Sequence, residues 1–341
     1  MKSTIKDVAK EAGVSIATVS FVINNSKHIS SETKNRVLKA IKSLNYHPSK
    51  SAVNLVSGKT GNIGFILTDD HFLRTEPFYT SIFLGTEFEA RNAGYYILLT
   101  SINPDFNKND PLPRFILNNS VDGIIVAGKI PANLIDRISS YNLPTVYIDY
   151  IPTKNCCPLV LIDNLQGGLM ATNHLIELGH TNIAFIGADI EHPSLSDRLK
   201  GYKQALENAK IQIKNNLIVT NSKYPDRVSG YNSIKSLLSK NKNVTAVFAC
   251  NDAMAIGVLN YLNDNGYKVP KDISLIGFDD VEADLMLNPP LTTIRVPKIE
   301  MGIEAMKLLV NTLKNKKSLL NKILVPVELI ERESTSTIRK K

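Results

Sequence analysis

The chain is poor in cysteine and lacks any long apolar run. Of its 341 residues three are cysteines. Cys156 and Cys157 are adjacent, an awkward geometry for a mutual disulfide, and Cys250 sits in the apolar run Val244–Cys250, where a small buried residue is expected. There is no CxxC pair and no HExxH, so the spacing offers no zinc site, and no metal or other cofactor is expected. No apolar stretch approaches the ~18 residues that suggest a membrane helix. The start, MKSTIKDVAKEAGVS, has nothing resembling the hydrophobic segment of a signal peptide, so a cytoplasmic location without a membrane partner is expected. Also missing are a GxGxxG after the first strand, a GxxxxGK[ST] phosphate loop and a GxSxG elbow. With Asp and His scattered at no catalytic spacing, an enzyme is not expected.

What is present is a lopsided charge. Residues 1–60 carry ten Lys and Arg against three acids (Asp7, Glu11 and Glu32), whereas the remaining 281 residues carry 30 basic and 29 acidic side chains. Nearly all of the formal net charge of +8 therefore lies in the first sixth of the chain. Such concentration favours a polyanionic partner.

The same sixty residues have a helical rhythm. Thr4 precedes an apolar pattern and Asp7 follows three residues later, close to a capping box. Ile5, Val8, Ala9 and Ala12 recur at helical spacing until Gly13 breaks the helix, as a tight turn requires. Ser15 caps a second helix over 16–24 with Val19 and Val22 turned inward. Ser30 and Thr33 open a third, with Val37, Ala40, Ile41 and Leu44 on its inner face. The plan is that of a helix-turn-helix with a bracing helix.

Ile5-Lys6-Asp7-Val8-Ala9, Ala12-Gly13-Val14-Ser15, Thr18-Val19-Ser20 and Asn24 together resemble the DNA-binding signature of the lactose-repressor (LacI) family. Ser30, Thr33, Val37, Ala40, Leu44, Tyr46 and Pro48 continue it in register. The resemblance implies a second helix in the major groove of double-stranded DNA. Thr4, Ser15, Ile16, Ala17, Thr18, Ser20, Phe21 and Asn24 are its candidate DNA-facing residues, hydroxyls toward phosphates and others toward base edges. Phe21 departs from the family, where many members have Arg to read guanine. It either offers apolar contact to thymine methyls or packs at the protein surface. Residues 48–60 resemble the family hinge, with Ala52 and Leu55 matching the minor-groove wedge helix. Val53 and Ser49 replace the usual Arg and Asn there, and a plain linker is the alternative.

From Gly61 on, short apolar runs alternate with amphipathic segments. Strands are expected at Ile63–Leu67, Tyr95–Thr100, Gly123–Ala127 and Thr145–Asp149, then Ile183–Gly187, Val244–Cys250 and Ile273–Phe278. Helices are expected at Phe78–Ala93, Leu165–Leu178, Arg198–Ala209 and Ala253–Asp264. Such alternation predicts an α/β fold with parallel sheets covered by helices. Asn62-Ile63-Gly64-Phe65-Ile66 is faintly echoed by Asn182-Ile183-Ala184-Phe185-Ile186, suggesting two similar lobes.

The resemblance continues through Val121-Asp122-Gly123, Gly179-His180, Asp197-Arg198, Asn251-Asp252-Ala253, Gly277-Phe278-Asp279 and Pro290-Leu291-Thr292-Thr293. It implies an all-α headpiece (1–47), a hinge (48–60) and a core (61–341) of two Rossmann-like lobes of periplasmic-binding-protein type. The first lobe would comprise about 61–161 and 295–323, the second about 162–292 and 324–341. It further implies a repressor that binds a palindromic operator as a homodimer and holds a small polar effector between the lobes. A sugar is the first expectation and a nucleobase or nucleoside the second; the lobes alone would also serve a sugar-binding transport protein, an alternative opposed by the basic headpiece and the lack of a signal peptide. Some members form tetramers through a C-terminal leucine heptad, and none is present here, so a dimer is expected.

The candidate effector residues are Phe78 and Tyr79 as an aromatic wall, Arg198 as a planar donor, Asp279 as an acceptor, and Asn251 and Tyr224 beside them. Asn251 has the alternative of only capping its helix, and Asp279 of only anchoring a turn. Asp70–Glu76 is longer than the family's usual connection and is expected to alter the mouth of the cleft.

Overall fold

The computed structural model describes residues 3–23, 29–46, 59–73, 77–152, 157–188, 190–315 and 321–338. It divides into two compact units, Met1–Gly61 and Asn62–Lys341. Asn24, Ala52, Leu55, Cys156 and Arg74–Glu76 lie outside the described residues.

The first unit holds three helices, α1 (Ile5–Ala12), α2 (Ile16–Ile23) and α3 (Ser31–Ser43). Val8, Ala9, Ala12, Val19, Val22, Val37 and Ala40 meet in one small core, closed by Tyr46. Gly13 ends α1 in the left-handed region (φ 62°), a conformation that a side chain would strain. Arg36 of α3 donates to the carbonyls of Ala12 and Gly13 at 3.0 and 3.2 Å, which pins the turn against the bracing helix.

The second unit is built from parallel sheets. In the first lobe, β1 (Asn62–Thr68), β2 (Tyr96–Ile102), β3 (Gly123–Ala127), β4 (Thr145–Ile148), β5 (Leu159–Ile162) and β11 (Lys322–Val325) stand in the order β11-β5-β4-β3-β1-β2. In the second lobe, β6 (Ile183–Ala188), β7 (Ile218–Ser222), β8 (Ala246–Ala249) and β9 (Ser274–Ile276) stand in the order β7-β6-β8-β9. β3 and β6 are buried along their whole length, because helices cover both faces of such sheets. A short antiparallel pair, β10 (Thr293–Arg295) with β12 (Glu328–Ile330), accompanies the late chain crossings.

The expected lobe boundaries at 161/162 and 323/324 fall inside strands. β5 runs to Ile162 and β11 to Val325, and these two residues are register partners in the first sheet. Backbone pairing therefore keeps Ile162, Leu324 and Val325 with the first lobe. The expected strand and helix positions otherwise recur with shifted ends; the largest shift is in the helix placed at Arg198–Ala209, which starts at Pro193. Among the described residues no helix is long and apolar enough to cross a membrane.

Candidate functional site

In the first unit, α2 turns Val19 and Val22 inward and leaves an outer face that is short-chained and apolar. Ile16 is 45 % and Phe21 53 % exposed, and Ser15 and Ala17 are also exposed. Ser15 caps α2 through Thr18 N–H (3.1 Å), and the two hydroxyls lie 2.9 Å apart. Ser20 is half-buried on the same helix. Thr4 is differently occupied. Its N–H and hydroxyl both donate to the Asp7 carboxylate, at 2.8 and 2.7 Å, so its proton is already engaged within α1.

In the second unit the carboxyl ends of both sheets open onto one cavity of about 450 Å³. Phe78, Tyr79, Arg198, Tyr224, Asn251 and Asp279 all line it. Parallel strands aim their ends at such a crevice, and the residue types found there are those able to orient a polar ligand.

Arg198 is the best-held group. It is buried, and its Nε donates to Asn164 Oδ1 (2.8 Å) and its Nη1 to the Cys250 carbonyl (2.6 Å). The guanidinium carbon lies 3.6 Å from the centre of the Phe278 ring. Its Nη1 is 3.5 Å from Asp279 Oδ1, whereas Nη2 has no acceptor among the described residues. Asp279 follows β9 with φ 123°, and its Oδ1 has no hydrogen-bond partner. Burial pushes its carboxyl up to about 7 against the pull of Arg198. A donor and an acceptor thus stand side by side in the cavity wall.

The aromatic wall is more elaborate than the sequence suggested. Phe78 and Tyr79 meet edge to face at 5.0 Å. Tyr79 is in turn stacked on His71, with centroids 4.6 Å apart and planes at 28°. His71 comes from the short helix Asp69–Leu73, which follows β1. Its ring fills the space that a Cβ on Gly128 (φ 76°) would need. Burial holds the His71 imidazole down at about 4 despite Asp70, so the wall is uncharged at neutral pH. The Tyr79 hydroxyl donates to Asp149 Oδ2 (2.9 Å), and burial keeps it protonated well beyond the usual range.

Asp149 and Ser194 line the same cavity but were missed from the sequence. Asp149 follows β4, and its Oδ1 accepts from Ser194 of the opposite lobe at 2.7 Å. Ser194 stands in the first turn of the helix Pro193–Asn208. Pro at the first helical position was the available signal for that turn.

Asn251 is spent internally. Its Oδ1 caps the helix Asp252–Asp264 at Met254 N–H (2.9 Å) and its Nδ2 donates to the Pro225 carbonyl (2.9 Å). Tyr224 lies under the Lys223 ammonium, 5.1 Å from the ring centre. Among the described residues no group of His, Cys, Asp and Glu is placed to hold a metal ion.

Residues 4–49 match the family of bacterial regulatory proteins, lacI family, and residues 172–335 match the periplasmic binding protein-like domain. The HTH-type transcriptional repressor PurR of Mannheimia succiniciproducens is 35% identical over 338 residues, 98% of this chain and 99% of that protein. The HTH-type transcriptional regulator RegA of Clostridium saccharobutylicum is 36% identical over 340 residues, 98% of this chain and 100% of that protein. Among solved structures, a complex of the transcriptional regulator CelR with cellobiose is similar at TM-score 0.73 and 30% identity, covering 98% of this chain and 100% of that one. The lac repressor dimer bound to operator and the anti-inducer ONPF is similar in fold at TM-score 0.81 and 24% identity, covering 98% and 100%.

Proposed function

Since the chain belongs to the LacI family of transcriptional regulators and is a DNA-binding repressor by that membership, we propose that its grip on DNA is set by a small polar effector held between the lobes of the second unit. The observation that carries this reading is the Arg198–Asp279 ion pair in the wall of one cavity, in which Asp279 Oδ1 lacks a hydrogen bond among the described residues. A buried acceptor that lacks a hydrogen bond is costly unless a ligand or water completes it.

The chemistry of the walls favours a compact ring bearing hydroxyls, a sugar. Carboxylates and a guanidinium suit such an edge, and Phe78 offers a flat apolar face. The cellobiose complex of the 30% identical CelR supports the same reading. A nucleobase or nucleoside is the second reading. It is favoured by the His71–Tyr79 stack, which provides a planar aromatic wall, and by the whole-chain relatives named repressor PurR.

In this account the protein acts in the cytoplasm as a homodimer on a palindromic operator, with Ser15, Ile16, Ala17, Thr18, Ser20, Phe21 and Asn24 facing DNA and Ala52 and Leu55 serving the hinge. Effector binding favours one lobe arrangement over another and so shifts DNA affinity. No catalytic step is assigned to the cleft. Thermal-shift screening against separate sugar and nucleoside panels tests the effector class, because a bound ligand raises stability by mass action. A dose-dependent rise with members of one panel identifies the class; no rise with either removes the effector site.

A further inference from the structure

Behind the floor of the cavity lie two carboxyl groups that the effector chemistry does not use. Asp252 opens the helix Asp252–Asp264, and Asp284 sits in the single turn Glu282–Met286; both are fully buried. They converge on one donor. The Val281 N–H is 3.2 Å from Asp252 Oδ2 and 3.0 Å from Asp284 Oδ2. Asp252 Oδ1 has a partner of its own, the Thr293 hydroxyl at 2.7 Å, whereas Asp284 Oδ1 has none among the described residues. Four carboxyl oxygens thus share two protein donors, in a place without solvent. Two carboxylates that share one donor in a buried place cannot both ionise, since burial penalises each anion and each raises the other.

We propose that Asp284 carries a proton at neutral pH and donates it to Asp252, which makes Asp284 a positioning residue for the loop that bears Asp279. The charged groups around the pair agree with a single negative charge. Lys298 acts on Asp252, Arg332 acts on Asp284, and Asp279 is itself disfavoured as an anion by Asp252. Burial and Asp252 push the Asp284 carboxyl up to about 10, while Asp252 is raised by burial and lowered by the hydrogen bond from Asp284. The pair holds the loop from both ends. Asp252 N–H donates to the Phe278 carbonyl (2.8 Å), its carboxylate receives Val281 N–H, and a Cβ on Gly277 would collide with it. Asp279 lies between those anchors, so the shared proton fixes where the Asp279 carboxylate in the cavity wall points. This role rests on the effector reading above, but the proton itself does not.

The test uses the full chain without any ligand. The infrared spectrum of the wild type at pH 8 should contain a carbonyl band of a protonated carboxylic acid that is absent from Asp284→Asn. Unfolding by urea between pH 6 and 9 gives a second readout. A proton bound by the folded state and not the unfolded state lowers stability as pH rises, here by about tenfold in the folding constant per pH unit. Asp284→Asn, which keeps a neutral donor toward Asp252, should fold and lose that slope. Asp284→Ala should be less stable than Asp284→Asn. Absence of the band together with equal slopes in wild type and Asp284→Asn would show two ionised carboxylates and overturn the proposal. Failure of effector binding alone leaves the band and the slope in place, so the two readings fail separately.

Discussion

Ser194 donates its hydroxyl to Asp149 across the mouth between the lobes at 2.7 Å, and Asp149 is at the same time held by Tyr79 at 2.9 Å. The carboxylate thereby joins the aromatic wall of one lobe to the first turn of a helix in the other. Ser194→Ala removes the crossing bond and leaves the Tyr79 bond intact. A hydrogen bond to a charged group contributes about 1.5–3 kcal/mol. The variant should therefore favour open lobes, visible as a larger radius of gyration by small-angle scattering. An unchanged scattering profile would remove the bond from the closing mechanism.

Arg198 has both a site role and a packing role, which separates its variants. Arg198→Ala should weaken the effector found by screening by about 10–150-fold, the equivalent of about 1.5–3 kcal/mol. It also strips Asn164, Cys250 and Phe278 of their contacts and leaves Asp279 without its ion pair. Breaking a buried pair from one side typically costs about 3–5 kcal/mol of stability. Calorimetry on the folded fraction should show the affinity loss; unaltered effector affinity would take Arg198 out of the site.

Asp279 gives the site a pH dependence of defined sign. Its carboxyl is raised to about 7, so it is increasingly protonated below that pH and can no longer accept from a ligand as an anion. Effector affinity should fall by up to about tenfold per pH unit below pH 7 and level off above it. The stability term runs the other way. Between the ordinary carboxylate range and about 7 the folded state binds the extra proton, so this group contributes more stability as pH falls. Asp279→Asn should bind more weakly at pH 8 and show a flat pH profile. A wild-type profile that is flat from pH 5 to 8 contradicts this assignment.

The basic first sixty residues make DNA affinity salt-dependent. For about six to ten phosphate contacts, affinity falls by about 10³–10⁵-fold between about 50 and 200 mM salt. Removing residues 1–60 should abolish DNA binding and leave the effector-induced thermal shift in place. A truncated chain that still retards DNA in a gel would contradict the division of labour between the two units.

The proposed homodimer is open to its own test. Leu285 and Met286 are 61 % and 80 % exposed on adjacent positions of one turn, and large apolar side chains side by side suit a protein interface. Replacing both by Glu should raise the dimer dissociation constant at least about tenfold in sedimentation experiments. A wild type that sediments as a monomer at micromolar concentration contradicts the homodimer.

The sequence made the architecture legible because parallel sheets buried on both faces write themselves as uninterrupted apolar runs, as at Gly123–Ala127. Edges were harder. β11 and β5 are short and close the far side of the first sheet, so only their pairing reveals that Leu324 and Val325 stay with the first lobe. The six effector candidates line one cavity, because strand ends and helix starts carry recognisable motifs. Asp149, Ser194 and His71 escaped for a different reason. Asp149 and Ser194 act through partners distant in sequence (Tyr79 for Asp149, Asp149 for Ser194), and no local pattern announces a long-range bond; His71 meets Tyr79 only eight residues on, but across a connection with no recognisable motif. Asn251 shows the reverse limit, since a motif placed it at the cavity while its amide is engaged by Met254 and Pro225.

Effector control of DNA binding is most directly tested by one titration. Randomised-site selection supplies the preferred DNA for the full-length protein, and the ligand found by thermal shift is then titrated into that complex at fixed salt, with Asp279→Asn in parallel. The account predicts a palindromic site, a change of at least about tenfold in wild-type affinity at saturating ligand, equivalent to about 1.4 kcal/mol of coupling, and a much smaller change for Asp279→Asn. Wild-type affinity that stays the same with the cleft saturated would contradict it.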